Sequence, residues 1–166
     1  MVHASDVLGA NYLAFDIIGD LAFGAPFGMI DAGKDMAIVP KHHGNQQAVM
    51  DSYGKQGIES EVIGIPAIKI FSGRGEHAMC IGVMPPYWRS IADQLPGYRF
   101  GGECIKYLAG IAIMAVSKRL ANPTDRPDLL NKLQNARDTE GKTMNKEELT
   151  AEAQTFLIAG SDTTSK

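Results

Sequence analysis

The 166-residue chain is predicted to be mainly α-helical. Three observations predict it. Apolar residues recur at helical spacing along Leu8–Phe23, Gly102–Leu120 and Glu147–Ser165. Proline and glycine punctuate the intervals, at Gly24-Ala25-Pro26, Pro85-Pro86, Pro96-Gly97 and Ala121-Asn122-Pro123. The last apolar stretch is preceded by Asn145 with Glu148 three positions on, the pattern in which two side chains reciprocally satisfy free N–H groups at a helix start. The three long helices are expected to share one core.

Each element follows in order. In Leu8–Phe23, Tyr12, Phe15, Gly19 and Phe23 fall on one face with Leu13, Ile17 and Leu21 close by, and Gly24-Ala25-Pro26 stops the helix. Asp16 and Asp20 lie one turn apart on it. With no histidine patterned beside them, they read as structural hydrogen-bonding groups. Ile30–Glu59 is polar and glycine-rich, which predicts an irregular or short-helical connection. Ile63–Val83 is apolar with scattered glycines and is broken by Pro85-Pro86; Pro96-Gly97 marks a turn. Gly102–Leu120 is a long helix ended by Ala121-Asn122-Pro123. Pro127–Asp138 is an amphipathic helix with Leu129, Leu130 and Leu133 inward, its proline in the first turn, where a missing N–H costs little. Asp138–Asn145 is a polar loop. Asn145 then caps the final helix, with Glu147 near its positive end.

Composition narrows the function classes. A chain with 45% hydrophobic residues can bury a core, as one domain or part of one. A net charge of −3 gives no electrostatic footprint for nucleic acid or an anionic membrane. Two cysteines make neither a disulfide framework nor a zinc site, and read as reduced thiols of an intracellular protein. The apolar run Leu108–Val116 is too short to span a bilayer, so no membrane segment is expected, and the N-terminus has no basic-then-apolar signal pattern. His42-His43 has no third ligand at useful spacing and reads as an exposed pair. Ala67–Phe71 followed by Gly73-Arg74-Gly75-Glu76-His77-Ala78 imitates a strand and a dinucleotide-binding turn, with Asp93 where a ribose-binding acid would stand. That leaves a dinucleotide-binding oxidoreductase as a minor alternative, although Pro85-Pro86 cuts the following helix short.

The most informative stretch is Thr155–Lys166. An apolar helical run passes into Ala159-Gly160-Ser161-Asp162-Thr163-Thr164, where Asp and Thr are mediocre interior helix formers and Gly160 costs roughly 1 kcal/mol against alanine. Such a segment suits a helix that opens locally, receives a ligand against its backbone and presents a proton-carrying pair to it.

These six residues resemble the Ala/Gly-Gly-x-Asp/Glu-Thr-Thr/Ser motif in the distal helix of the cytochrome P-450 superfamily of haem-thiolate monooxygenases. Tyr12–Gly24 resembles the mid-chain helix that ends in Phe-Gly in many fungal members, and Arg126–Leu130 with Glu147–Ala153 resembles the segments leading into the distal helix. Within the superfamily, Asp16–Ile30 and Leu108–Leu120 are most similar to the fungal benzoate 4-monooxygenases. The likeness covers most of the chain.

The resemblance implies the central helical part of the cytochrome P-450 fold, ending in the oxygen-activating helix. Residues 1–166 would be a partial domain, without the N-terminal part and the C-terminal haem-thiolate loop. The implied catalytic residues are Thr163, which hydrogen-bonds the oxygen being reduced, and Asp162, which relays protons. Ala159 and Gly160 would lie on the haem and oxygen side, with a local widening of the helix that frees a carbonyl for water. Phe156 and Ala159 would face substrate, and Ile65–Met84, with Pro66, Phe71 and Met79, would cover the substrate chamber; plain core packing remains open for Phe156, Pro66, Phe71 and Met79. The implied cofactor is haem, with NADPH entering only through a cytochrome P-450 reductase partner, and the implied substrate is a small aromatic acid such as benzoate. Full-length relatives are associated with the endoplasmic reticulum membrane.

The iron-ligating cysteine is not expected in this chain. Cys80-Ile81-Gly82 matches the end of the family's Phe-x-x-Gly-x-Arg-x-Cys-x-Gly loop, yet Ala78, Glu76 and Gly73 stand at its Arg, Gly and Phe positions, and Cys104 fits no better. No Glu-x-x-Arg occurs, and Trp88 has Ala92 four residues on in place of a propionate-binding Arg. A non-catalytic truncated remnant or helical interaction module therefore stays open beside the enzyme reading.

Overall fold

The computed structural model describes residues 4–41, 62–92, 94–122, 126–137 and 139–164, with side chains described except at 4–7, 90 and 162–164. The elements are α1 (Ala4–Phe23), α2 (Met29–Ala32), β1 (Ala37–Pro40), β2 (Val62–Ile65), α3 (Ala67–Gly82), α4 (Pro86–Ala92), α5 (Pro96–Ala121), α6 (Leu129–Asn135) and α7 (Lys146–Thr164). The chain is mainly α-helical, and α1, α5 and α7 pack on one another around one core.

That core is built from residues of these three helices. Phe15, Ala22 and Phe23 come from α1, Leu108, Ile111, Ala112 and Val116 from α5, and Leu149, Ala153 and Leu157 from α7. The α7 set repeats every four residues and buries one stripe, whereas α5 is buried at every position from Leu108 to Ile113. Tyr12, Phe15, Gly19 and Phe23 do line the inner side of α1, but Leu13, Ile17 and Leu21 are exposed, a second apolar stripe on its outer side. Periodicity merged two faces that packing separates.

Three connections differ from the expectation. Within Ile30–Glu59, Ala37–Pro40 forms a strand that pairs antiparallel with Val62–Ile65, Ala37 opposite Ile65 and Pro40 opposite Val62. This sheet lies on α5, with Val39 and Pro40 against the bare Cα of Gly110. Pro96 does not end an element but starts α5 at its first turn, where proline's fixed φ is already helical. The helix after Pro127 is shorter than expected: Leu130 is fully buried and Leu133 half-buried, but Leu129 is exposed.

Ala67–Phe71 is the first turn of α3, and Gly73 and Gly75 lie inside that helix. The expected strand is helical and the glycines form no turn after it, which removes the dinucleotide-binding reading. The glycines serve a helix crossing instead. A Cβ at Gly73 would meet Phe100 and Cys104 at 2.6–2.8 Å, and one at Gly101 would meet His77 at 2.3 Å, so α3 and α5 interlock through reciprocal gaps. Among the described helices, α5 alone is long and apolar enough to cross a bilayer by length and composition; over half of that stretch is buried here, as the core helix. His42-His43 and Asp93 lie outside the described residues.

Candidate functional site

The site is the C-terminal half of α7 and the helices that hold it. Its N-terminus is set by the predicted reciprocal cap: the Asn145 N–H donates to Glu148 Oε2 at 2.8 Å, and the Glu148 N–H donates to Asn145 Oδ1 at 2.8 Å. Glu147 and Glu148 in the first turn also oppose the positive end of the helix. From there two stripes diverge. Leu149, Ala153, Leu157 and Ser161 are buried against α1 and α5, while Ala151, Thr155 and Ala159 form a smooth exposed face of small residues. Asp162 and Thr163 follow Ala159 by three and four positions, in the last turn of α7. Their side chains lie outside the described residues.

The poor helix formers of α7 do not open it. Thr150 Oγ1 donates to the Lys146 carbonyl at 2.8 Å, Thr155 Oγ1 to the Ala151 carbonyl at 3.2 Å, and the buried Ser161 hydroxyl to the Leu157 carbonyl. Each hydroxyl is thus satisfied one turn back, without leaving the helix. The expected widening is absent: α7 is α-helical through Thr164. Gly160 also has a neighbour that sequence reasoning missed. A Cβ built there would lie 2.7 Å from both Cδ1 and Cγ1 of Ile18 on α1, so the gap at Gly160 is filled by another helix. Ala159 is exposed beside it. Phe156 is half-buried and packs on the core. The only advance signal for Ile18 was the helical phase of α1 itself.

Three anchoring carboxylates position the surroundings. Asp16, nearly buried, accepts from the N–H groups of Gly28 (2.7 Å), Met29 (3.1 Å) and Ile30 (2.9 Å), capping α2, whose own N-cap, Gly28, has no side chain and a φ of 78°. This is the structural role expected for it. Asp20 holds Arg126 through two bonds of 2.6 and 2.5 Å at the surface. The hydrogen bond from Arg126, then burial working the other way, then the Arg126 charge leave the Asp20 carboxyl below its ordinary value. At the start of α3 the Ile68 N–H donates to Oδ1 of Asp35, just before β1, at 2.9 Å, a cap that Pro66 cannot supply. Phe71 meets Phe15 edge-on at 4.8 Å, so α3 reaches α1 through an aromatic contact.

Ala151, Thr155 and Ala159 offer a surface without bulk, and among the described residues no group of three His, Cys, Asp or Glu side chains could hold a metal ion. Cys80 is exposed on α3. Cys104 is buried under α3, and burial first, then Glu103, push its thiol up, which opposes the thiolate an iron ligand must be. Cys104 therefore does not suit an axial iron ligand.

No protein-family model matches the chain. It is 44% identical over 163 residues to the benzoate 4-monooxygenase of Aspergillus niger, covering 93% of this chain and 28% of that protein. To the trichothecene C-15 hydroxylase of Fusarium sporotrichioides it is 28% identical over 156 residues, 93% of this chain and 26% of the relative. A bifunctional cytochrome P-450/NADPH–P-450 reductase of Aspergillus oryzae shares 47% identity over 64 residues, 38% of this chain and 6% of the relative. The chain therefore spans under a third of the length of these curated relatives. With 44% identity to one fungal monooxygenase and weaker matches to others, each over 93% of its length, the chain belongs to the cytochrome P-450 superfamily.

Proposed function

We propose that this chain forms the oxygen-side helical part of a haem-dependent monooxygenase that hydroxylates a small aromatic acid such as benzoate, drawing electrons from NADPH through a cytochrome P-450 reductase. The observation that carries the reading is the 44% identity across 93% of the chain to a benzoate 4-monooxygenase. The small-residue face of α7 that leads to Asp162 and Thr163 supports it. The matches to reductase fusions support a reductase partner. Membrane association at the endoplasmic reticulum is part of the same reading.

Bound haem would supply the redox chemistry of oxygen activation. The chain's own residues would do four things. Ala159 would keep bulk away from the place where oxygen binds. Thr163 would offer a hydrogen bond on the distal side of the bound haem, and Asp162 would carry protons there from solvent. Phe156 and Ala159 border the substrate, one turn before that pair. The core helices exclude water from the back of α7, so protons arrive by the open face only.

The test uses the full-length protein that contains this chain. A carbon-monoxide difference band of the thiolate type, benzoate-induced spectral shifts and ring-hydroxylated product would support the proposal. Selective binding of a steroid or fatty acid would overturn the substrate class. The absence of any thiolate-type band would favour the non-catalytic remnant.

A further inference from the structure

We infer that Ile18 on α1 is a positioning residue for the last turn of α7: its side chain occupies the place of the missing Cβ of Gly160, and with the Ser161–Leu157 hydrogen bond it fixes the rotation of the turn that carries Asp162 and Thr163. The inference rests on the oxygen-side reading above and assigns a role to two residues which that reading leaves unused.

Two independent observations converge on this turn. A Cβ at Gly160 would lie 2.7 Å from Cδ1 and Cγ1 of Ile18 and 3.0 Å from its Cβ, so the whole side chain is engaged and not only its tip. A β-branched side chain has few rotamers to escape into, which makes Ile18 a stiff spacer. Ser161, the next residue, is 3% exposed, and its hydroxyl is spent on the Leu157 carbonyl one turn back. One contact sets how closely α7 approaches α1; the other holds the turn in α-helical register. Both act directly before residues 162 and 163, so an error in either passes to the pair. A displacement of about 1 Å in reacting groups can cost on the order of a hundredfold in rate. The reason for glycine at position 160 is then approach to α1, in addition to any approach to a ligand.

The experiment compares Gly160→Ala, Ile18→Ala, the double variant, Ser161→Ala and Ser161→Thr in the full-length haem-loaded protein. Amide hydrogen exchange of residues 157–164 reads the turn itself. The split of reducing equivalents between hydroxylated product and hydrogen peroxide reads its consequence, with the carbon-monoxide band reporting haem loading. Gly160→Ala is expected to raise both exchange and the peroxide share about tenfold at unchanged haem loading. Adding Ile18→Ala should return both to within about twofold of the parent, as coupling between touching residues requires. Ser161→Ala should raise both, and Ser161→Thr, which keeps a hydroxyl able to bond back, should not. If Ile18→Ala leaves the Gly160→Ala defect unrelieved, the glycine acts through its ligand and the inference is overturned. Should Gly160→Ala fail to load haem, Ile18→Val loosens the same contact from α1, and unchanged exchange and partition in that variant overturn it. A parent protein without a thiolate-type band defeats the oxygen-side reading alone, since the exchange measurements still decide the contact.

Discussion

Asp16 shows how much one side chain can organise. Three backbone donors in the turn after α1 converge on its two oxygens, in a place where Gly28 leaves α2 without a local cap. Asp16→Ala strands those donors and is expected to cost about 3 kcal/mol of unfolding free energy, with Asp16→Asn in between, measured by urea unfolding of the full-length protein. At the other end of the site the expected effects are functional. Thr163→Ala should leave haem and substrate binding nearly intact while diverting electrons to hydrogen peroxide. Asp162→Asn should slow turnover and enlarge the solvent isotope effect, because the proton supply is interrupted. Coupled, full-rate hydroxylation in both variants would remove the pair from the mechanism.

Among the elements, α7 depends on its ends. The Asn145–Glu148 exchange satisfies two donors that the helix itself cannot. Asn145→Ala should destabilise by about 1 kcal/mol and speed amide exchange in the first turn of α7. Unchanged exchange there would mean that tertiary contacts alone hold the start of the helix. The tie between α1 and the segment before α6 has a pH signature. Asp20 titrates below 3.8 in the folded protein because Arg126 favours its ionised form. Its contribution is therefore complete above 3.8 and is lost as pH falls through the lower folded value. Thermal midpoints of the parent and Asp20→Asn should differ at neutral pH and converge only in strong acid. A constant difference down to low pH would show that the pair is electrostatically idle.

For the whole molecule, the decisive feature is apolar surface left open. Leu13, Ile17 and Leu21 form one exposed stripe on α1, and Met79, Val83, Tyr87, Trp88 and Ile91 form another region along α3 and α4, with Val83 84% exposed. A polypeptide that spans 28% of a relative's length is expected to show such faces. The 166 residues on their own should melt broadly, at low temperature, and bind hydrophobic dyes. They should also give no thiolate-type carbon-monoxide band, since Cys80 stands outside a matching loop and Cys104 is buried with its thiol pushed up. A sharp, high melting transition would contradict the first expectation, and a thiolate band the second.

Local information was enough for the helices and for the family. The phase of apolar residues marked α1, α5 and α7, the Asn145–Glu148 spacing marked a cap, and Ala159–Thr164 carried the resemblance to the family, because each is written within a few residues of sequence. Contacts between distant segments were not legible. Nothing near Ala37 indicates that Val62–Ile65 will pair with it, so β1 passed as loop. Nothing near Pro96 distinguishes a turn from a first helical turn until α5 packs on α3. Leu13, Ile17 and Leu21 have the composition of a core face, and only the position of α7 decides that α1 buries its other side. Gly160 is the clearest case. The sequence determines that a side chain is missing there, but a gap has no direction in one dimension, and only the tertiary approach of α1 puts Ile18 into it.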